Sequence, residues 1–160
     1  MSQARIHDVE AAILAALKEA APTLEVPTAN IQTVSSANVD FAREQVIINA
    51  PAILLIYLGG SYEPENDTWH LYNARYSFLL QLVVEGLRGG QATREGTPTE
   101  MGAYELIEGL KRIFAGRKLE LPEGAAAYCR LMPDEYNGTD ERGRFLYSLE
   151  IRCDGIWLGE

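Results

Sequence analysis

An uninterrupted apolar segment, Ala52 to Leu58, is the sequence feature that most constrains how this chain folds. Pro51 precedes it and Gly59-Gly60 follow it. An apolar run this short, bounded by proline and glycine, favours a β-strand covered on both faces over a helix. We therefore expect Ala52 to Leu58 to form a strand in the middle of a sheet.

Three further segments carry strand patterns. Leu71 to Val84 alternates an apolar face with a mixed one, and a polar loop over Ser61 to Thr68 would join it to the first strand as a hairpin. Ala125 to Met132 and Phe145 to Cys153 read as a second antiparallel pair around a polar turn, Pro133 to Gly143.

Two long helices are predicted. Apolar residues recur at three- and four-residue spacing from Arg5 to Ala20, and Pro22 is expected to end this helix. Thr97 to Glu100 has the composition of a capping box with proline at the first helical position. The second helix is predicted from Thr99 to Ala115, with Gly116 as its left-handed end.

Two weaker local patterns complete the assignment. Asn38 would cap a short helix from Val39 to Ile47, and the β-branched residues within Asn30 to Ser35 fit a short edge strand. The order of elements indicates an α+β fold, with a mixed or mostly antiparallel sheet and two long helices packed on one face. Nothing divides residues 1–160, so we expect a single domain.

The charge of the chain argues against some partners. It has 160 residues, 14 Lys and Arg against 23 Asp and Glu, and a net charge of -9. An acidic surface repels phosphate backbones and anionic lipid heads, so we expect neither sequence-specific nucleic-acid binding nor membrane binding. The sequence shows no signal-peptide pattern, which favours the cytoplasm as the compartment.

The histidines give no catalytic set. His7 lies in the first turn of a predicted helix, with no nucleophile pattern around it. His70 follows Glu63, Glu65 and Asp67, and oxygen ligands of this kind suit hard cations. The EF-hand spacing is absent, however, and the same residues fit a solvated hairpin tip that keeps edge strands from pairing wrongly. We expect no enzyme activity and no metal.

Other residues with possible chemistry also have structural interpretations. Gly86 to Gly90 lacks the order of a phosphate-binding loop, so it reads as a flexible connection, and no cofactor is expected. Cys129 and Cys153 fit small buried apolar residues better than a redox pair. Trp69 and Trp157 could each be a core edge or an interface anchor.

Several of these segments together resemble the tail terminators of Mu-like phages and prophages. They are the Ala-rich first helix, Ala50-Pro51-Ala52, Leu87-Arg88-Gly89 and the helix entry Gly102 to Ile107. The similarity runs over nearly the whole chain. It implies a small α+β protein that assembles in the host cytoplasm into a ring of six subunits, at the head-proximal end of the tail tube of the virion.

The resemblance also implies partners. The ring would stop growth of tail tube and tail sheath and present a surface to the head connector. Our candidates for the subunit or tube interface lie in the hairpin tip and in the loop before the second helix: Glu63, Glu65, Asp67, Trp69, Arg88 and Arg94. The arginines are chosen because guanidinium groups pair well with carboxylates across interfaces.

Two alternatives from other classes stay open. One is a different morphogenesis factor, such as a head-tail joining protein of similar size. The other is a small metal-binding enzyme or ligand-binding module that uses the loop from Glu63 to His70.

Overall fold

A mixed six-stranded sheet organises the computed structural model, which describes residues 5–34, 39–40, 45–46, 48–65, 70–85, 102–140 and 142–159. Its spatial order is β1-β4-β5-β8-β7-β6; β1 runs parallel to β4 and the other pairs are antiparallel. The strands of the sheet are β1 (Ile31–Thr33), β4 (Ala52–Pro64), β5 (Leu71–Val84), β6 (Lys118–Glu120), β7 (Ala126–Thr139) and β8 (Phe145–Gly159). In the described part of the chain, two α-helices, α1 (Ile6–Leu24) and α2 (Ala103–Phe114), accompany it, so the fold is α+β as predicted.

Helix α1 runs past the proline that was expected to stop it. Pro22 lies in its last turn, where little helix remains to be disrupted. The end is fixed instead at Glu25, which has a left-handed backbone with φ of 55°. The N–H of Glu25 donates to the carbonyl of Pro22 at 3.3 Å and that of Val26 donates to Ala21 at 3.2 Å, as in a Schellman motif.

Helix α2 begins later than predicted. Gly102 precedes it with extended backbone, φ -85° and ψ 173°, so no continuous helix runs from Thr99 through this residue. The predicted capping segment, Thr97 to Glu100, lies outside the described residues. The buried side of α2 consists of Ala103, Leu106, Ile107, Leu110 and Phe114, and the helix is followed by Gly116 with φ of 67°, as expected.

The main core combines both helices with one set of alternating strand residues. Ile53 and Leu55 of β4 pack in the same cluster as Phe78 and Leu80 of β5 and as Leu110 of α2. Ala52, Leu54 and Val83 have the opposite parity and form a second, smaller cluster with Ile48. The central strand Ala52 to Leu58 is thus buried on both faces over its first four residues, as its composition predicts.

The strands extend further than the sequence suggests. Ser61 to Pro64 and Pro133 to Thr139 are predicted as loop and turn but continue β4 and β7. The first segment pairs with β5, and residues 134–136 and 139 of the second pair with β8. Backbone pairing with a neighbour overrides their polar composition. We call residues 58–64 of β4, 71–76 of β5 and 154–159 of β8 the distal end of the sheet.

The predicted helix from Val39 to Ile47 is wrong. Val39–Asp40 (β2) and Gln45–Val46 (β3) are strands that pair antiparallel in a sheet of their own. Val39 and Val46 lie opposite one another in this pair, and β-branched residues favour strands. The predicted edge strand is confirmed as β1, beside β4.

Candidate functional site

The hairpin tip holds two of the predicted interface residues at the surface. Glu63 and Glu65 are exposed, and the Glu63 carboxylate lies 3.5 Å from the guanidinium of Arg75. Within the described residues no group of three metal-ligating side chains comes together. Asp67, the predicted third acidic residue of the tip, lies outside those residues, so this finding does not test the metal alternative.

The other predicted interface residues lie outside the described residues. They are Trp69, and Arg88 and Arg94 between β5 and α2 in the sequence. Their roles therefore stay predictions. His70 is exposed next to the tip, and His7 is exposed in the first turn of α1, as expected. Trp157 is 39% exposed at the distal end.

A cluster of three arginines lies on the sheet and was not predicted as a unit. Arg152 holds the Asp154 carboxylate with two hydrogen bonds, Nε to Oδ1 at 2.9 Å and Nη2 to Oδ2 at 3.2 Å. Arg75 and Arg130 reach the same carboxylate at 3.9 Å each. We call Arg75, Arg130, Arg152 and Asp154 the arginine patch.

The arginine patch has exposed groups that a partner could reach. The side chain of Arg130 is 66% exposed. The nearby Tyr128 is 51% exposed, and register places it opposite Asp154 on the neighbouring strand. Arginine beside an exposed aromatic ring is a composition typical of interface hot spots.

A groove of about 360 Å³ lies between α2 and the end of β7. Its floor is aromatic: the ring of the exposed Tyr136 lies 5.2 Å from that of the buried Tyr147, and the ring of the exposed Tyr104 lies 6.4 Å from Tyr147. Its rim is mainly acidic. We call this the acidic groove; it is lined by Tyr104, Ile107, Glu108, Lys111, Asp134, Glu135, Tyr136 and Tyr147.

One cation in the acidic groove is already paired. The Lys111 ammonium lies 2.6 Å from Asp134 and 3.3 Å from Glu108. The hydrogen bond to Asp134, more than that to Glu108, raises the pKa of Lys111, so the ion pair persists at neutral pH. The remaining carboxylates leave the rim with excess negative charge.

A buried ion pair closes the β7–β8 turn. The guanidinium of Arg144 donates to the Asp140 carboxylate at 2.8 Å and also to the carbonyl of Ile48. Backbone N–H groups of Arg142 and Arg144 donate to the other oxygen of Asp140 at 2.9 and 3.0 Å. Burial alone would raise the pKa of Asp140, but these hydrogen bonds and the positive charge outweigh it and lower the pKa.

The two cysteines lie face to face. Cys129 and Cys153 are buried, free and directly opposite each other on β7 and β8. Their thiols share a hydrogen bond, which lowers the pKa of Cys129 and, with burial, raises that of Cys153. Burial agrees with their predicted role as small apolar residues. The contact between them was not predicted.

Three tyrosines cluster around Gly60 at the distal end. The ring of Tyr76 lies 6.1 Å from that of Tyr57 and 6.2 Å from that of Tyr62. A Cβ on Gly60 would stand 2.9 Å from the Tyr62 hydroxyl and 3.0 Å from the Tyr76 ring, so only glycine fits without a shift. Burial, followed by the neighbouring tyrosines, raises the pKa of Tyr76 to about 12.

Sequence reasoning missed the arginine patch and the acidic groove because each combines residues from different elements. The sequence holds a partial signal for the patch, because Arg75 and Arg152 each alternate with apolar residues in a predicted strand. For the groove, the spacing of Tyr104 from Ile107 and Leu110 predicts a buried position on α2, whereas Tyr104 is 48% exposed. Tyr104 follows Ala103 in the sequence, but the buried side of α2 continues at Leu106 and Ile107 and does not include it.

Comparisons with known proteins point to phages. Comparison with curated proteins gave no match. Among solved structures, one chain of the virion of a native gene transfer agent particle is similar, with a TM-score of 0.60 at 13% identity. The alignment covers 96% of this chain and 98% of that one, so the two share a fold over their whole lengths. Within the described residues, no helix is both long enough and apolar enough to cross a membrane.

The family model described as Bacteriophage Mu, Gp37 matches residues 5–136. That range includes both helices and every described strand except β8 and the last residues of β7. It also includes the hairpin tip and the rim of the acidic groove. The match supports a phage protein, and the virion likeness shows a shared fold. This chain belongs to the Bacteriophage Mu Gp37 family.

Proposed function

We propose that this protein is a tail terminator, a ring of six copies that caps the tail tube and sheath and joins them to the head connector. The observation that carries the proposal is the match to the Mu Gp37 family over residues 5–136, since tail terminators of Mu-like phages are the proteins that the sequence resembles. The role is structural, without catalysis, metal or cofactor.

The distribution of surfaces supports this proposal. A terminator must match the last ring of the tube on one side, offer a different surface beyond it, and contact its neighbours within the ring. The described residues offer unlike surfaces of this kind: the hairpin tip, the arginine patch and the acidic groove. We propose that the tip, with Glu63, Glu65, Asp67 and Trp69, and the loop with Arg88 and Arg94 contact the tube or a neighbouring subunit.

We further infer that residues 1–160 form one domain with both helices on one face of the sheet. The support is the parity of the core residues: Val9 of α1 and Leu110 of α2 share a cluster with Ile53 and Phe78, whereas Leu54 and Val83 have the opposite parity and belong to another cluster. Exposed residues at the ends of the strands, such as Glu63 and Tyr136, are then available for assembly.

Tail length tests the proposed function. A phage or prophage from which this gene is deleted is induced, and the tails in the lysate are measured by electron microscopy. Overlong or head-free tails are expected, because tube growth is not stopped and no surface is offered to the connector. Normal-length tails that carry heads would contradict the proposal, and head-free tails of normal length would favour a head-tail joining protein.

A further inference from the structure

We propose that the arginine patch of one copy docks in the acidic groove of a second copy, with Arg130 entering between Tyr104 and Tyr136. This inference rests on the proposed function, because it names the surfaces that join neighbouring subunits in the ring. The occupant of the groove is a second copy of this chain, and the contact is head-to-tail.

The charges of the two surfaces are opposite. The arginine patch contains three guanidinium groups, those of Arg75, Arg130 and Arg152, beside the carboxylates of Asp154 and Glu63. The acidic groove is lined by three carboxylates, those of Glu108, Asp134 and Glu135, and by one cation, Lys111. On a chain of net charge -9 such a local excess of cations stands out, and complementary potentials fix the register of an interface.

Arg130 is the side chain best placed to leave its own subunit. Its Nε lies 3.9 Å from Asp154, while Arg152 holds that carboxylate at 2.9 Å, so Asp154 stays paired when Arg130 turns outward. With 66% of its side chain exposed, Arg130 loses little packing by moving. A guanidinium is also the group that stacks best on tyrosine rings.

The groove has the composition that receives a guanidinium. Tyr104 and Tyr136 are 48% and 54% exposed and flank the buried Tyr147. Tyrosine rings with carboxylates beside them offer both a cation–π surface and hydrogen-bond acceptors. Glu108 has 58% of its side chain exposed at the rim and is the carboxylate we expect Arg130 to meet.

The two surfaces lie on opposite faces of the sheet. Arg130 pairs in register with Arg152, and Tyr136 pairs with Tyr147. Residues 147 and 152 of β8 are five positions apart with unbroken pairing to β5 between them, so their side chains point to opposite faces. One copy can thus use its groove toward one neighbour and its patch toward the other, as a head-to-tail ring requires.

Nucleic acid is a poorer occupant of the arginine patch. Glu63 and Asp154 lie among the arginines and would repel a phosphate backbone. DNA binding at the patch would also leave the acidic groove without a role. The test below includes DNA binding as an outcome that overturns the proposal.

A charge swap tests the contact. Arg130→Glu and Glu108→Arg are made singly and together, and the proteins are crosslinked with glutaraldehyde both in purified tails and in concentrated solution. Each single change is expected to reduce the crosslinked fraction about tenfold or more, since like charges then face each other. The double variant should recover it to within about twofold, because opposite charges face each other again.

The controls use a pair of similar geometry elsewhere. Arg117 and Glu19 lie 3.9 Å apart at the surface, so Arg117→Glu and Glu19→Arg make the same charge changes at residues that belong to neither surface. These variants should crosslink like the wild type. Thermal melting of every variant shows that it folds, and the double variant guards against loss of crosslinking through misfolding.

Four results would overturn the inference. They are single variants that behave like the controls, a double variant that stays as poor as the single ones, a wild type that is monomeric both in tails and in solution, and salt-dependent DNA binding that Arg130→Glu abolishes. A different experiment tests the proposed function. Normal tails in the deletion strain would contradict the terminator role without changing the result of the charge swap.

Discussion

The same long strands behave differently at their two ends. Under the helices, Ile53, Phe78 and Leu80 are completely buried in the main core. At the distal end, the β4 residues from Ser61 onward are exposed, whereas Ala74 of β5 and Ile156 of β8 stay buried. The register shifts between Tyr57 and Gly59 and between Ala74 and Tyr76 mark the boundary. Backbone pairing thus continues along the whole of β4, but side-chain burial in that strand does not.

We expect the buried end of the sheet to determine the stability of the fold and the exposed end to make contacts with other proteins. A continuous sheet transmits the rigidity of its buried end to its exposed end, and loops or strand ends on a rigid scaffold are where binding surfaces usually lie. Changes at the buried end should therefore lower the free energy of unfolding. Changes at the hairpin tip should alter assembly and leave the fold intact.

The largest loss of stability is expected from Asp140→Asn. Asp140 and Arg144 form a buried ion pair, with side chains 1% and 5% exposed, and Asp140→Asn removes the negative charge that balances the buried guanidinium. Breaking such a pair costs about 3–5 kcal/mol of unfolding free energy. Asp134→Asn is the matched control: its pair with Lys111 is partly exposed and is worth about 1 kcal/mol or less. Equal losses, measured by urea denaturation, would contradict this interpretation.

The dependence of stability on acidic pH tests the same ion pair. Because the folded pKa of Asp140 lies below its ordinary value of about 3.9, the pair contributes stability above that pH. The contribution is lost as the pH falls through the folded pKa. Wild-type stability should decline below about pH 4, and the decline should be smaller in Asp140→Asn.

Leu110→Ala is expected to cost about 2–5 kcal/mol, the range for a buried large-to-small change. Leu110 is fully buried in the main core. Glu105→Ala on the exposed side of the same helix is the control, with an expected change within about 0.5 kcal/mol. A similarly small loss for Leu110→Ala would mean that α2 turns this side to solvent or to another subunit.

A smaller effect is expected at alkaline pH from Tyr76. The raised pKa of about 12 means that the unfolded chain, with an ordinary tyrosine pKa near 10, gives up this proton first. The contribution to stability is therefore complete below about pH 10 and is lost as the pH rises toward 12. Tyr76→Phe should flatten the alkaline part of the stability curve. An unchanged curve would show that burial does not suppress ionisation of Tyr76.

The smallest effect on stability is expected from joint alanine substitution of Glu63, Glu65 and Asp67. Glu63 and Glu65 are exposed, so the melting temperature should stay close to that of the wild type. Tail assembly should nevertheless be altered. Calorimetry with calcium and magnesium decides the alternative: wild-type binding that the triple change abolishes would favour a metal site at the tip.

How well the sequence predicted the fold depended on whether local pattern or tertiary pairing decides the structure. Alternation from Leu71 to Val84 gave that strand its exact bounds, because one face is buried along its length. Ser61 to Pro64 looked like a loop, since partners on β5 and not its own residues make it a strand. The Asp140–Arg144 pair, the arginine patch and the acidic groove depend on which strands become neighbours, and no local pattern in one chain specifies that.

Electron cryo-microscopy of intact tails tests the central claim most directly. The account predicts a ring of six copies at the head-proximal end of the tube, with density that fits the six-stranded sheet and both helices and with the arginine patch of each copy facing the acidic groove of the next. Tails whose head-proximal end is built from other proteins, with this chain absent or placed elsewhere in the particle, would contradict it.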